Sequence, residues 1–118
     1  MQPIPFVYLL SLFSLAQALP IKRAEYSGSG TFYNVGLGSC GVTSKDSQPV
    51  AALSSDLMQS GQYCGKKITI SSGTKSVTVT VVDTCPACSK SDVDLSIAAF
   101  KEIGDPSKGR IPIKWSTA

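Results

Sequence analysis

The clearest pattern in the chain is an alternation of polar and apolar residues in its second half. Residues 66–70 (KKITI) and 76–81 (SVTVTV) place apolar side chains at every second position, which is the period of a strand with one buried face. Residues 71–74 (SSGT) between them are typical of a turn. The pattern predicts an antiparallel hairpin that packs one face against a core.

Shorter strands are predicted on either side of this hairpin. Residues 31–33 (TFY) form a short aromatic segment within a Gly- and Ser-rich stretch, 25–41, which favours a strand flanked by flexible turns. Residues 50–59 predict a short strand that runs into a helical turn, with Ser54 as the N-cap. Residues 111–115 (IPIKW) alternate again and predict the last strand.

One helix is predicted, from residue 96 to residue 104. Ile97, Phe100 and Ile103 recur at helical spacing behind Ser96, which can act as the N-cap, and Gly104 is suited to end the helix. Strands therefore outnumber helices. A length of 118 residues is enough for one domain and too short for two, so we expect a single, mainly β domain.

The first residues have the features of an export signal. Residues 6–18 are an apolar run that ends in Ala16-Gln17-Ala18, the small-x-small form that signal peptidase accepts, although residues 1–5 carry no Lys or Arg. Lys22-Arg23 resembles the dibasic processing site of fungal secretory proproteins. We expect a signal peptide at 1–18, a propeptide at 19–23 and a mature domain at 24–118, in a secreted, extracellular protein.

The charge balance argues against a strongly anionic partner. Removing Lys22 and Arg23 from the 11 basic residues leaves nine against eight acidic residues, a net charge of +1. We therefore expect no nucleic-acid partner and no membrane association after signal cleavage. The chain has no His and no nucleotide or flavin fingerprint, so we expect no metal and no organic cofactor. We expect a monomer.

Four cysteines lie in the mature part, and an even number in an exported chain favours disulfides. Three pairings are open from the sequence alone. The Cys-x-x-Cys segment at 85–88 could instead serve as a redox or zinc site, but no His, second such motif or strand-to-helix context supports that reading. The cysteines are Cys40, Cys64, Cys85 and Cys88.

Seven short segments occur in the order found in one protein family. Together they resemble the first domain of expansins, and most closely the fungal single-domain expansin-like proteins called loosenins, within the rare-lipoprotein-A-like and barwin-like double-psi β-barrels. The resemblance covers nearly the whole mature chain. The segments are 30–33 (GTFY), 39–41 (SCG), 63–66 (YCGK), 82–86 (VDTCP), 93–96 (VDLS), 99–100 (AF) and 109–115 (GRIPIKW).

The resemblance implies a six-stranded double-psi β-barrel with one or two short helices and an open groove for an extended polysaccharide. By analogy with barwin-type proteins, it pairs Cys40 with Cys64 and leaves Cys85 for Cys88. The second, carbohydrate-binding domain of expansins is absent from this sequence. Affinity for a crystalline surface is therefore expected to be weak, because stacking on aromatic rings supplies much of such binding.

The same resemblance assigns the candidate site. Asp94 matches the carboxylate that expansin function requires, which is the general acid in related endoglucanases, and Asp83 matches a second carboxylate of the groove. Thr31 and Tyr33 match hydrogen-bonding positions on its floor. Each has a structural alternative: Asp94 could help to cap the helix, Asp83 could satisfy turn amides, and Tyr33 could belong partly to the core. Trp115, at the end of an apolar strand, is expected to be a packing residue.

Three functions are consistent with these residues. The first is non-hydrolytic binding and loosening of cell-wall cellulose, other glucan or chitin, which needs only a groove and Asp94. The second is glycoside hydrolysis or peptidoglycan lysis. It is disfavoured because the base segment of the endoglucanases is missing and the lytic relatives use a His, which this chain lacks. The third is a protein-binding module, such as a protease inhibitor or a secreted effector.

Overall fold

The computed structural model describes residues 24–118, so the expected signal peptide and propeptide lie outside the described residues. Among the described residues, no helix is long and apolar enough to cross a membrane. The strands of this part are β1 (Glu25–Phe32), β2 (Val50–Ser54), β3 (Lys67–Ser72), β4 (Lys75–Cys85), β5 (Val93–Leu95) and β6 (Ile111–Thr117). The helices are α1 (Ser55–Met58), α2 (Ile97–Ile103) and a 3₁₀ turn at Pro106–Lys108.

The strands close into a barrel in the order β1-β5-β2-β4-β3-β6. β1 is parallel to β5 and β2 is parallel to β4, whereas the other neighbouring strands are antiparallel. The predicted hairpin is β3–β4, and all the other pairings join strands that are distant in sequence. The predicted fold class, a mainly β six-stranded barrel with short helices and two disulfides, is confirmed.

Inward-facing residues of all six strands form one core. Alternate positions of β3, β4 and β6 are buried, as the period-2 patterns predicted, and Phe100 on α2 is fully buried against them. Removing a buried aromatic side chain of this size lowers the free energy of unfolding by about 3–5 kcal/mol. The packing of α2 through Phe100 therefore stabilises the barrel. The core strand residues include Ile68, Ile70, Val79, Val81, Val93, Leu95, Ile111, Ile113 and Trp115.

Both helices begin at the residues predicted as N-caps. The Ser54 hydroxyl accepts a hydrogen bond from the Leu57 amide at 3.4 Å, and the Ser96 hydroxyl accepts one from the Ala99 amide at 3.3 Å. Each bond satisfies an amide that has no partner within its helix. The structure therefore confirms both predicted helix starts.

Two predictions for the strands need correction. The stretch around residues 28–30 was expected to be a flexible turn, but it is the middle of β1. A Cβ on Gly28 would lie 2.4 Å from the Ser91 carbonyl oxygen, so glycine is needed there for close approach of two backbones rather than for a turn. β5 was not predicted at all, because three residues are too few to show a period.

The disulfides join Cys40 to Cys64 and Cys85 to Cys88, and the described part of the chain has no free cysteine. This is the pairing that the family resemblance implied. The first disulfide ties the long segment between β1 and β2 to the segment before β3. The second closes a small ring at the end of β4, whose last residue is Cys85. Neither disulfide belongs to the barrel core.

Candidate functional site

A row of four residues crosses the outer face of the barrel on four adjacent strands. Thr31 on β1 pairs with Asp94 on β5, Asp94 pairs with Ala52 on β2, and Ala52 pairs with Asp83 on β4. Neighbouring strands lie about 4.8 Å apart, so the two aspartate Cα atoms are roughly 10 Å apart. We call Thr31, Asp94, Ala52 and Asp83 the carboxylate row.

Strand alternation explains why Asp94 points outward. Its neighbours Val93 and Leu95 are fully buried in the core, and successive side chains of a strand point to opposite faces. The Thr31 hydroxyl donates a hydrogen bond to Asp94 Oδ1 at 2.8 Å. Asp94 is therefore held by a side chain across the strand pair, and Ser96, not Asp94, caps α2.

Burial dominates the electrostatics of Asp94. Partial burial raises the pKa of this carboxyl above its usual value of 3.8, and nearby Asp83 raises it further, whereas the Thr31 hydroxyl and the Arg110 guanidinium act to lower it. A carboxyl group with a raised pKa binds a proton more readily than a solvated one. Asp94 can therefore accept hydrogen bonds when ionised and can donate one when protonated.

Tyr33 follows β1 directly and lies close to both carboxylates. Its amide donates a hydrogen bond to the Leu95 carbonyl at 2.9 Å, which fixes the backbone beside β5. Partial burial, with additional contributions from Asp83 and Asp94, raises the pKa of the Tyr33 phenol to about 12. The phenol is therefore protonated at neutral pH and is available as a hydrogen-bond donor beside the row.

Asp83 is held in a different way. Its Oδ1 accepts hydrogen bonds from the Ser39 amide at 2.9 Å and from the Thr84 amide at 2.7 Å. A register shift between Ala51 and Ala52 marks a bulge in the β2–β4 pair, and this bulge brings Asp83 into register with Ala52. One oxygen of Asp83 thus satisfies backbone amides, as its structural alternative proposed, while the side chain still lies at the end of the row.

Residues 37–43 form a loop beside Asp83 whose two arms are hydrogen-bonded to each other. Leu37 and Thr43 form an isolated antiparallel bridge, and the Gly38 amide donates to the Val42 carbonyl at 3.0 Å. A Cβ on Gly38 would lie 2.2 Å from the Val82 carbonyl oxygen, so the loop packs its backbone directly on β4. We call residues 37–43 the bridge loop; Cys40 within it is disulfide-bonded to Cys64.

The structure thus brings all four predicted site residues to one face, and it keeps Trp115 away from it. Trp115 is buried in the core, stacks on Tyr26 at 4.3 Å and donates through Nε1 to the Ser91 carbonyl. Sequence reasoning gave no functional role to Ala52 or Arg110. Arg110 stands in the 109–115 segment that carried the family resemblance, so that segment could have drawn attention to it.

Comparisons with known proteins agree with this fold. The family model described as "Lytic transglycolase", a double-psi β-barrel family, matches residues 25–115. The chain belongs to this family of rare-lipoprotein-A-like double-psi β-barrels. Within it the chain is expansin-like, since it resembles both expansin-related sequences and solved expansin structures.

Two relatives illustrate the sequence similarity. The putative EG45-like domain containing protein 1 of Arabidopsis thaliana is 35% identical over 118 residues, covering 91% of this chain and 89% of that protein. The allergen Asp f 7 homolog of Arthroderma benhamiae is 34% identical over 82 residues, covering 65% of this chain. The aligned part is only 28% of that longer allergen.

Two solved structures illustrate the structural similarity. An Asp-to-Asn mutant of the Clavibacter michiganensis expansin, in complex with cellohexaose, superposes with a TM-score of 0.74 and 27% identity. The match covers 80% of this chain and 50% of that chain. The Streptomyces papain inhibitor superposes with a TM-score of 0.73 and 26% identity, and the match covers 84% of this chain and 99% of that chain.

Proposed function

We propose that this chain binds an extended cell-wall polysaccharide across the carboxylate row and loosens it without hydrolysis. The observation that carries the proposal is the row itself, in which a hydroxyl, two carboxylates and a protonated phenol lie around Ala52. Carboxylate oxygens accept hydrogen bonds from sugar hydroxyls, and the Tyr33 phenol donates one. Ala52 itself is buried between the two aspartates, so the polar side chains around it are the groups that would contact a sugar.

The ligand class that we favour is a neutral β-glucan. Asp83 and Asp94 give the row a negative charge, which repels an acidic polysaccharide. The solved expansin that superposes on this chain holds cellohexaose, a neutral oligosaccharide, and this supports the same chemistry here. Cellulose and other glucans are therefore the first candidates, and chitin, which is also neutral, is the next.

The carboxylates are better arranged for binding than for hydrolysis. Glycosidases use one carboxyl group as an acid and a second one as base or nucleophile. Asp94, with its raised pKa, has the properties of an acid, but Asp83 Oδ1 already accepts two backbone amide bonds. These bonds hold Asp83 in place and occupy its Oδ1, so this oxygen is not free to act as the base.

A binding and release assay tests this proposal. Residues 24–118 are incubated with insoluble cellulose, chitin and wall β-glucan, and depletion from solution is measured together with reducing-sugar release and the force needed to extend a wall strip. We expect depletion on glucan and a weaker strip, with no released sugar. Sugar release at enzymatic rates would show hydrolysis instead, and no depletion on any of the three would refute polysaccharide binding.

The proposal places the protein outside the cell. The small-x-small site after the apolar run and the dibasic pair at 22–23 support export, and the two disulfides suit an oxidising compartment. N-terminal sequencing of protein secreted by a fungal expression host tests it. We expect the secreted chain to begin at Ala24; a cell-associated protein that retains residues 1–18 would contradict export.

A second candidate function is inhibition of a cysteine protease through the bridge loop. Leu37 is 74% exposed and Val42 is 50% exposed on this loop, and Cys40–Cys64 holds the loop against the barrel. Beside it lies a cavity of about 300 Å³, lined by Val42, Val82 and the disulfide. The superposition on nearly the whole length of the Streptomyces papain inhibitor also favours this candidate.

Papain inhibition tests the second candidate. We expect an inhibitor of this kind to lower papain activity at micromolar concentration, and the double variant Leu37→Ser, Val42→Ser to lose that effect because the apolar contact is removed. Asp94→Asn is the matched control, since it lies outside the bridge loop. Undiminished papain activity in the presence of the wild-type chain would reject the candidate.

A further inference from the structure

The carboxylate row continues past Thr31 to a positively charged residue. In the β1–β6 ladder Glu25 pairs with Ser116 and Gly30 pairs with Ile111. Extending this register by one residue places Arg110 opposite Thr31. Because Ile111 and Ile113 are buried in the core, the alternation of β6 directs Arg110 to the outer face, the same face as Thr31 and Asp94.

The contacts of Arg110 agree with this placement. Its Nη1 lies 4.0 Å from Asp92 Oδ2, and its side chain is 63% exposed. Asp92 directly precedes β5, and extending the alternation of β5 by one residue places it on the same face as Asp94. Asp92 is itself held by the Ser29 amide, which donates to Oδ1 at 2.9 Å. The guanidinium therefore lies beside Asp94, across the β1–β5 pair.

Most of the hydrogen-bonding capacity of Arg110 is unused in the structure. The ion pair with Asp92 is at the limit of contact distance and largely solvated, and such surface pairs contribute little to stability. A guanidinium has five N–H donors in a fixed plane. These donors can therefore reach a ligand without breaking a strong internal contact.

We propose that Arg110 contacts the bound polysaccharide at the Thr31 end of the carboxylate row, where its guanidinium donates hydrogen bonds to the hydroxyls of a neutral sugar unit. This inference rests on the proposed function and extends it. The row then has a cationic end at Arg110 and an anionic end at Asp83. Arg110 also acts as a positioning residue for Asp94, because its charge favours the ionised carboxylate that accepts sugar hydroxyls.

The effect of Arg110 on the ionisation of Asp94 depends on the other charged and titratable groups around Asp94. Tyr33 follows β1, Asp83 lies on β4, Asp92 precedes β5 and Arg110 precedes β6; β2 contributes only Ala52. Arg110 is the only cation among them. Its removal leaves Asp94 with acidic neighbours alone, so the Asp94 carboxyl should then bind its proton at higher pH.

The test compares Arg110→Gln, Arg110→Lys and Lys108→Gln. Lys108 lies in the 3₁₀ turn, is exposed and carries the same charge two residues away, so Lys108→Gln is the matched control. Binding of soluble cellohexaose and cellotetraose is measured by titration calorimetry at pH 4 to 8. In parallel, the Asp94 carboxyl carbon is titrated by NMR without ligand.

We expect Arg110→Gln to weaken cellohexaose binding about threefold to tenfold at pH 7 and to weaken cellotetraose binding less, because a shorter chain can bind without reaching Arg110. The Asp94 midpoint should move to higher pH in Arg110→Gln, stay near the wild-type value in Lys108→Gln and be largely restored in Arg110→Lys.

Three outcomes would count against these conclusions, and they can be told apart. Wild-type affinity in Arg110→Gln, with the wild-type chain binding normally, would overturn the contact at Arg110 and leave the proposed function intact. An unmoved Asp94 midpoint in Arg110→Gln would overturn the positioning role. Absence of binding by the wild-type chain to both oligosaccharides would overturn the proposed function and the contact together.

Discussion

The two carboxylates at the face of this barrel are held by different partners. Asp83 accepts two backbone amides, one from the bridge loop and one from its own strand. Asp94 accepts one hydroxyl from Thr31, and its pKa is raised by burial. Backbone amides cannot turn away without moving the chain, whereas a hydroxyl can rotate toward a ligand. The difference makes Asp83 mainly a structural residue and leaves Asp94 as the carboxylate whose partner can reorient, which suits the ligand contact that we propose for it.

The largest expected effect is on wall loosening. Asp94→Asn should reduce loosening by about tenfold to a hundredfold, the factor that corresponds to about 1.5–3 kcal/mol for a hydrogen bond to a charged group. Asp83→Asn should retain most of the activity, because the amide oxygen still accepts the backbone bonds. Extension of wall strips measures both variants, with circular dichroism as the control for folding. Equal losses in the two variants would show that the carboxylates act as a pair.

The next effect concerns the loop that holds Asp83. The chain-entropy model gives about 3–4 kcal/mol for the Cys40–Cys64 disulfide, which spans 24 residues, and about 2 kcal/mol for Cys85–Cys88, which spans three. The double variant Cys40→Ser, Cys64→Ser should therefore unfold at lower denaturant concentration than the double variant Cys85→Ser, Cys88→Ser. Urea titration measures both. The reverse order would indicate that the bridge loop stays in place without its disulfide.

A smaller effect is expected on the free energy of unfolding, which should differ between variants of the two carboxylates. Asp83→Ala should lower the free energy of unfolding by about 1–2 kcal/mol, because the Ser39 and Thr84 amides lose their acceptor. Asp94→Ala should cost less, since the Thr31 hydroxyl can bond to water instead. Urea unfolding curves of the two variants at pH 7 give the comparison. A larger loss in Asp94→Ala than in Asp83→Ala would contradict the assignment of Asp83 as mainly a structural residue.

The pH dependence of Asp94 has opposite signs for binding and for stability. Its pKa in the folded protein lies above the ordinary 3.8, so the folded state binds this proton more tightly and stability is lost as pH rises from 3.8 through the folded-state pKa. The proposed glucan binding uses the ionised carboxylate, so we expect it to fall as pH decreases through the same pKa. Asp94→Asn should melt at the same temperature as the wild-type chain, or slightly higher, at pH 7. A lower melting temperature there would refute this sign.

The smallest effect appears in alkali, at the phenol beside both carboxylates. The pKa of Tyr33 is raised to about 12 by burial and by Asp83 and Asp94, and that of Tyr63 is raised to about 12 by its hydrogen bond with Tyr26. Stability should therefore decrease as pH rises from 10 toward 12. Tyr33→Phe should remove part of this decrease, and Tyr63→Phe another part. Thermal melts between pH 9 and 12 measure it; an unchanged profile in Tyr33→Phe would show that Tyr33 is not buried near the carboxylates.

Much of the fold was predictable because it depends on local patterns. The β3–β4 hairpin, β6 and both helix starts follow from alternation, helical spacing and the serine N-caps. β5 was not predictable in this way, because three residues show no period. The glycines of β1 were misinterpreted for a physical reason: the need for close approach to Ser91 exists only once the strands have packed.

The candidate site also combines features that the sequence indicates with features that only strand pairing creates. The family resemblance singled out Thr31, Tyr33, Asp83 and Asp94, but alternation along β4 would place Asp83 on the same side as the buried Val79 and Val81. The bulge in the β2–β4 pair changes that register and sets Asp83 level with Ala52. A bulge depends on the pairing of two strands that are distant in sequence, so no local pattern reveals it.

The sequence by itself determined the β3–β4 hairpin, β6 and both helix starts, which residues can be buried and which side chains carry hydrogen-bonding groups. These properties belong to single residues and to their nearest neighbours along the chain. Only the tertiary structure decided the order of the strands, the row that joins Thr31 to Asp83 and the approach of Arg110 to Asp94. Those relations depend on closing the barrel, because closure places residues from five separate strands and strand ends side by side.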